Sequence, residues 1–179
     1  KKQTNKPAAV KNEKTADKKV EASSAEPQNT SVSKDTSKAE KRAEGDFSGK
    51  NILVVDDEIN IRRGLAMGLE DEGYNVYEAG DGVDALKQIA SKDVDLVITD
   101  LKMPEMTGDE LLKSITANYK NIPVIVLTGH GTIENAVETM HNGAYDFITK
   151  PINLDHLFLI VKRALSNRQL ILEHSMLKE

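Results

Sequence analysis

Residues 51–58 read Asn-Ile-Leu-Val-Val-Asp-Asp-Glu, an apolar run that stops at three acidic residues. A short run that is rich in β-branched residues and ends at polar residues predicts a buried β-strand. The pattern recurs, and the predicted strands are Asn51–Val55, Asn75–Glu78, Val94–Thr99, Val124–Leu127 and Tyr145–Ile148. Apolar residues at helical spacing predict helices at Ile59–Glu72, Val83–Ala90, Gly108–Tyr119 and Thr132–His141, and a last helix after Asn153. Five strand-helix repeats indicate an α/β fold, with a parallel sheet covered by helices on both faces.

Capping and turn residues support these helix assignments. Asp81 and Thr132 are suited to N-cap positions. Thr107 and Glu110 have the spacing of a capping box. Gly143 is suited to end the fourth helix, because helices commonly close on a residue with positive φ.

Polar residues follow the carboxyl ends of four of the five predicted strands. They are Asp56 and Asp57 after the first strand, Asp100 after the third, Thr128 after the fourth and Lys150 after the fifth. With the strand order 2-1-3-4-5 the first and third strands are neighbours, and ligands bind at this edge of an open parallel sheet. Three carboxylates then meet beside one hydroxyl and one amine.

This set of groups predicts a magnesium site. Clustered carboxylates repel each other unless a cation joins them, and Mg²⁺ prefers oxygen ligands. A carboxylate such as Asp100 can form an aspartyl-phosphate, while Lys150 and Thr128 contact the phosphoryl oxygens. Scattered carboxylates, or an ammonium in the place of the ion, would contradict this interpretation.

The motifs around these residues resemble those of the receiver domain of bacterial two-component response regulators. Val-Val-Asp-Asp-Glu (54–58), Thr-Asp-Leu-Lys-Met-Pro-Glu-Met-Thr-Gly (99–108), Leu-Thr-Gly (127–129) and Gly-Ala-Tyr-Asp-Phe-Ile-Thr-Lys-Pro (143–151) occur in that order. The resemblance covers about residues 50–167 and implies the flavodoxin-like (βα)5 fold, a doubly wound sheet. The last motif and the long last helix are similar to receivers of enhancer-binding transcription activators.

The resemblance also implies a role for each site residue. Asp100 is the expected phosphoacceptor, and the expected Mg²⁺ ligands are Asp56, Asp57, Asp100 and the backbone carbonyl of Lys102. Lys150 is expected to contact the phosphoryl group and to precede a cis bond to Pro151. Thr128 and Phe147 form the expected switch pair, read out on the surface of the fourth helix, fifth strand and fifth helix. Lys102 and His130 are expected to tune the lifetime of the phosphoryl group.

Two other functions compete with this phosphoacceptor switch. A magnesium phosphohydrolase would turn over through an aspartyl-phosphate, but such enzymes resemble a pattern with the nucleophile and a second aspartate two residues apart on the first strand. A flavin-binding domain would need a phosphate loop there, where Asp56-Asp57-Glu58 repels phosphate. The aspartates could also serve only as turn and cap residues. We therefore expect a signalling domain, not a turnover enzyme, with a histidine kinase as phosphodonor.

Composition changes sharply near residue 50. Residues 1–49 carry 11 Lys/Arg and 8 Asp/Glu, a net charge of +3, whereas the remainder carries 13 and 21, a net of −8. Since Leu, Ile, Met and Tyr are absent before Ile52, we expect residues 1–48 to be a disordered tail or linker. Residues 49–167 are the expected receiver domain. The first residue, Lys1, suggests a processed product or fragment.

Partners and location follow from the same features. An acidic folded part argues against direct nucleic-acid binding. No apolar run is long enough to span a membrane, and no cysteine is present, which fits a cytoplasmic protein. Apolar residues continue through residues 168–179, the expected C-terminal helix extension. We expect this extension to lead toward an output domain or to form a homodimer through the last helices.

Overall fold

Strands and helices alternate in the order that the sequence predicts. The computed structural model describes residues 45–129 and 133–178. The elements in chain order are β1 (Asn51–Val55), α1 (Ile59–Asp71), β2 (Asn75–Ala79), α2 (Gly82–Ser91), β3 (Leu96–Asp100), α3 (Gly108–Asn118), β4 (Val124–Thr128), α4 (Ile133–His141), β5 (Asp146–Thr149) and α5 (Leu154–Met176). All four strand pairings are parallel, and the predicted order 2-1-3-4-5 is confirmed.

Four of the five strands reach one residue further toward their carboxyl ends than the sequence predicted, whereas β1 has the predicted bounds. β3 was predicted at Val94–Thr99, but it begins at Leu96 and includes Asp100, which pairs with Leu127. β4 likewise includes Thr128, which pairs with Thr149 of β5. These boundaries were wrong because pairing with a neighbouring strand, and not hydrophobicity, decides where a ladder ends. Asp100 and Thr128 are therefore fixed in the sheet itself.

The sheet separates two apolar cores. Alternate residues of β1 point to opposite faces, as the period of a strand requires: Ile52 and Val54 join the first core, whereas Leu53 and Val55 join the second. Helices α1 and α5 cover the first core, and α2 and α3 cover the second. Burial on both faces explains why the central strands are nearly uniformly apolar.

Most predicted helix ends are confirmed. The side chain of Asp81 accepts a hydrogen bond from the backbone of Asp84 at 2.8 Å. Thr107 and Glu110 form the reciprocal capping box, and Gly143 has a φ of +101°. The predicted Thr132 cap lies outside the described residues.

The N-terminal end of the described chain packs against the domain. Phe47 is only 6% exposed and belongs to the first core. Packing therefore begins before residue 49, where the sequence placed the domain boundary. The rest of the predicted tail, residues 1–44, lies outside the described residues.

The C-terminal helix is long, as predicted. α5 has 23 residues. Beyond the part that packs on the sheet, its apolar side chains are exposed, at Leu170, Ile171 and Met176. None of the helices in the described ranges combines the length and hydropathy needed to cross a bilayer.

Candidate functional site at the carboxyl edge of the sheet

The predicted site residues lie together at the carboxyl edge of the sheet. Asp100 ends β3, and Thr128 ends β4. Lys150 directly follows β5, and its backbone N–H donates to the carbonyl of Thr128 at 2.7 Å. The acidic pair that follows β1 completes the set. Parallel topology brings these groups from four strands to one place, as the sequence predicted.

Asp56 is held by hydrogen bonds on every side. Its backbone N–H donates to the carbonyl of Ala79 in β2 at 3.2 Å. Its Oδ1 accepts the backbone N–H of Glu58 at 2.8 Å, and its Oδ2 accepts Lys150 Nζ at 3.2 Å. Its carbonyl accepts Arg62 Nη1 at 2.7 Å. Asp56 therefore stabilises the turn after β1, as expected if the aspartates were turn residues, and it also directs a carboxylate oxygen toward Lys150.

Three carboxylates converge at this edge. Asp56, Asp57 and Asp100 each offer an oxygen, and these oxygens lie within 4.8 Å of one another. Asp56 is fully buried, Asp100 is 7% exposed and Asp57 is exposed. One open side and two buried ligands make a site that an ion and a phosphoryl group can both approach.

Lys150 contacts two of these three acids. Its Nζ lies 3.2 Å from Asp56 Oδ2 and 3.3 Å from Asp100 Oδ2. Among the described residues, Lys150 forms no ion pair with Asp57, so one acid remains unmatched by the ammonium. The cluster carries three negative charges against one positive charge, which leaves the charge that a dication would neutralise. The bond from Lys150 to Pro151 is cis, as expected.

Burial and the neighbouring opposite charge have opposing effects on the pKa values of Asp100 and Lys150. Burial raises the pKa of Asp100 above its ordinary value; Lys150 opposes this effect and the neighbouring Asp56 adds to it. Burial works to lower the pKa of Lys150, but the two aspartates outweigh it, so that pKa is raised. Asp100 is therefore a carboxylate whose charged form is costly until more positive charge arrives.

The hydroxyl of Thr128 is buried and lacks a partner among the described residues. Buried polar groups are almost always hydrogen-bonded. Phe147 pairs in register with Val126, two residues before Thr128. Side chains two residues apart share a face of the sheet, so the ring and the hydroxyl lie on the same side. Phe147 is partly buried against the second core.

The donor set fits Mg²⁺. Carboxylate oxygens are the ligands this ion prefers, and it is commonly held by one or two of them together with phosphate oxygens. Three carboxylates and the Lys150 ammonium leave a net charge of −2, which one dication would neutralise. The exposed Asp57 leaves one side of the cluster open to phosphate oxygens. The residues gathered here would therefore accept a magnesium ion and a phosphoryl group side by side.

Sequence reasoning missed three supporting residues. Arg62 in α1 bonds the Asp56 carbonyl, and Glu78 in β2 accepts from Arg62 at 3.2 Å. The sequence did carry a signal for Glu78, because it is an acidic residue inside a predicted strand that neighbours β1. Gly108 packs so closely that a Cβ there would lie 2.0 Å from the carbonyl oxygen of Asp100. Of the two predicted tuning residues, Lys102 is exposed, and His130 lies outside the described residues.

Comparison with known proteins gives a consistent answer. Residues 52–162 match the family model of the response regulator receiver domain. The chain is 47% identical over 116 residues to an NtrX-like response regulator of Rickettsia bellii, covering 64% of this chain and 24% of that protein. It is 42% identical over 114 residues to the regulatory protein AtoC of Escherichia coli, covering 64% and 25%. The chain thus spans about a quarter of the length of these relatives.

Solved structures agree. Crystalline NtrX from Brucella abortus in complex with ADP superimposes with a TM-score of 0.69 at 40% identity, covering 72% of this chain and 30% of that one. A response regulator receiver domain from Clostridium thermocellum gives a TM-score of 0.65 at 33% identity, covering 68% of this chain and 98% of that one.

Proposed function

Because this chain belongs to the response regulator receiver family, we propose that Asp100 accepts a phosphoryl group from a histidine kinase. The observation that carries the proposal is the meeting of three carboxylates within 4.8 Å around the buried end of β3. Asp100 would be the nucleophile because it ends the central strand, where Lys150 contacts its carboxylate and Thr128 ends the neighbouring strand. Asp56 and Asp57, with the backbone carbonyl of Lys102, would complete the Mg²⁺ site.

Mg²⁺ would shield the acidic cluster from the incoming phosphoryl group and orient that group for in-line attack. A carboxylate oxygen of Asp100 then forms a bond to phosphorus as the bond from phosphorus to the donor's imidazole nitrogen breaks. Lys150 keeps its ammonium at this point and offsets the added charge. The raised pKa of Lys150 supports this role, since the amine stays protonated.

The switch follows from the same geometry. Phosphorylation adds a charge of about −1.5 to −2 and strong acceptor oxygens. The Thr128 hydroxyl, which has no partner among the described residues, would donate to one of them. Its movement opens space on the sheet face that Phe147 shares, and the ring turns inward. The surface of α4, β5 and α5 then changes for a partner or an output domain.

This proposal describes a switch and not a turnover enzyme. The family is a signalling domain, and the chain would catalyse only its own phosphotransfer and slow dephosphorylation. The competing phosphohydrolase would need its nucleophile and second acid two residues apart on β1, whereas Asp56 and Asp57 are adjacent and Asp100 ends β3. The three acids also disfavour a flavin phosphate here.

Further proposals concern the partners of the switch and the segments on either side of it. The NtrX-like regulator and AtoC are about four times as long as the matched segment, and we propose an output domain or a downstream protein as the partner of the switched surface. We expect residues 49–167 to be the switching unit, residues 168–179 to link or dimerise it, and residues 1–48 to be a tail or linker. Direct nucleic-acid contact by this segment is not expected. The cytoplasmic location stays a prediction.

Labelling with a small acyl-phosphate donor tests the proposal. The chain should take up one phosphoryl group in the presence of Mg²⁺ and almost none in EDTA. Asp100→Ala should abolish uptake. Many turnovers of a phosphoester, or equal labelling of Asp100→Ala, would contradict the switch.

A further inference from the structure

A partly buried arginine supports the turn that carries the acidic pair. The Arg62 side chain is 16% exposed and donates in two directions. Its Nη1 bonds the Asp56 carbonyl at 2.7 Å, and its Nε bonds Glu78 Oε2 at 3.2 Å. The planar guanidinium suits such a two-sided contact. Arg62 therefore links α1, β2 and the turn after β1.

The bonded carbonyl belongs to the peptide that joins Asp56 to Asp57. A peptide unit is planar, so a bond that fixes its oxygen also fixes the starting point of the next residue. The Asp57 carboxylate has no hydrogen bond or ion pair among the described residues, and its side chain is exposed. The direction of that carboxylate consequently depends on the peptide that Arg62 holds.

Glu78 makes this arrangement compatible with a cation site. A bare guanidinium beside Mg²⁺ would repel it, but the Glu78 carboxylate lies against Arg62 and offsets its charge. The side chain of Glu78 is itself 21% exposed and also accepts from Arg63. Arg63 is 65% exposed and makes no bond to the Asp56 carbonyl.

We propose that Arg62, held by Glu78, is a positioning residue that aims Asp57 at the magnesium ion. This inference rests on the proposed function, because it concerns the same metal site. When a residue that orients a metal ligand is removed, the affinity for the metal typically falls about 10–100-fold. Mg²⁺ demands near-octahedral geometry, whereas Ca²⁺ accepts irregular geometry. Loosening Asp57 should thus weaken Mg²⁺ more than Ca²⁺.

Calorimetric titration of the full chain with Mg²⁺ or Ca²⁺ tests this role. Arg62→Met should raise the Kd for Mg²⁺ about tenfold and the Kd for Ca²⁺ by less. Arg63→Met is the matched control: it removes the same charge beside the same Glu78, but should change the Kd by less than about threefold, since exposed ion pairs contribute little. Circular dichroism confirms that each variant is folded.

A second variant keeps the inference testable if Arg62→Met does not fold. Arg62→Lys keeps the charge, but one ammonium does not reproduce the two-sided contact, so Mg²⁺ binding should still weaken more than in Arg63→Met. Equal Mg²⁺ affinity in wild type and both Arg62 variants would overturn the inference while leaving the proposed function standing. So would equal weakening by Arg62→Met and Arg63→Met. A wild-type chain that binds no Mg²⁺ would overturn both.

Discussion

The buried hydroxyl of Thr128 leads to a testable prediction about both stability and switching. It has no partner among the described residues, and leaving a buried hydroxyl unsatisfied costs about 1–3 kcal/mol. Valine has nearly the same shape without the hydroxyl. We expect Thr128→Val to stabilise the unphosphorylated protein by about 1 kcal/mol, which raises Tm by roughly 3–5 °C in a domain of this size.

The same substitution should impair the response to phosphorylation. A hydrogen bond to a charged group contributes about 1.5–3 kcal/mol, which corresponds to roughly 10–150-fold in a population ratio. A nearly complete switch requires about 5.5 kcal/mol, so losing this bond leaves the active state incompletely populated. Asp100 itself should still be labelled.

Thermal unfolding and NMR together provide the assay. Tm is measured in EDTA, and chemical shifts around Phe147 are followed on adding Mg²⁺ and an acyl-phosphate donor. Thr149→Val is a matched control, because Thr149 lies opposite Thr128 but is exposed; it should change stability by less than about 0.5 kcal/mol. A lower Tm for Thr128→Val, or shift changes equal to those of wild type, would refute the reasoning.

Three further perturbations follow from the site. Gly108→Ala would force a Cβ against the backbone of Asp100 and should lower the free energy of unfolding in urea by about 1–3 kcal/mol. Gly64→Ala has open space around it and should be neutral or stabilising, so equal effects of the two substitutions would refute the close-packing argument. Lys150→Met leaves Asp56 and Asp100 without their cation, so it should lower the stability of the protein in EDTA and slow the labelling of Asp100. It should also tighten Mg²⁺ binding several-fold in calorimetry, and weaker Mg²⁺ binding would contradict this prediction. Because burial raises the folded pKa of Asp100 above the ordinary 3.8, its contribution to stability is present below that value and is lost as pH rises through the folded pKa. In metal-free buffer, the stability of Asp100→Asn relative to wild type should therefore rise over this pH window and then level off, and a constant difference would refute the sign.

The sequence predicted which residues meet at the carboxyl edge of the sheet better than it predicted the element boundaries. Asp56, Asp100, Thr128 and Lys150 were identified because polar residues are rare at the ends of apolar strands. The membership of Asp100 and Thr128 in their strands was missed, since ladder pairing depends on a neighbouring strand and not on local composition.

Supporting contacts between distant segments were harder to predict. The bond from Arg62 to the Asp56 carbonyl and the contact of Gly108 with the end of β3 are backbone contacts. Apart from the acid Glu78 in β2, neither leaves a compositional signal: an arginine on a helix is an ordinary surface residue, and a glycine after a threonine is an ordinary turn residue. Phe47 was assigned to the tail because its neighbours are polar, yet one buried ring is enough to dock a short segment.

The two acids of the turn have different physical situations, which suggests a division of roles. The carboxylate of Asp56 already has two partners, in Glu58 and Lys150, and is fully buried. Much of the cost of burying its charge is therefore met by the fold before any ion binds. Asp57 is exposed, so it retains its hydration until a ligand arrives. At the proposed Mg²⁺ site, Asp56 would therefore be the ligand whose position the fold fixes, and Asp57 would be the ligand that an incoming ion reaches from solvent. The adjacent pair can take both roles because Asp56 is fully buried directly after β1, whereas Asp57 is exposed in the turn before α1.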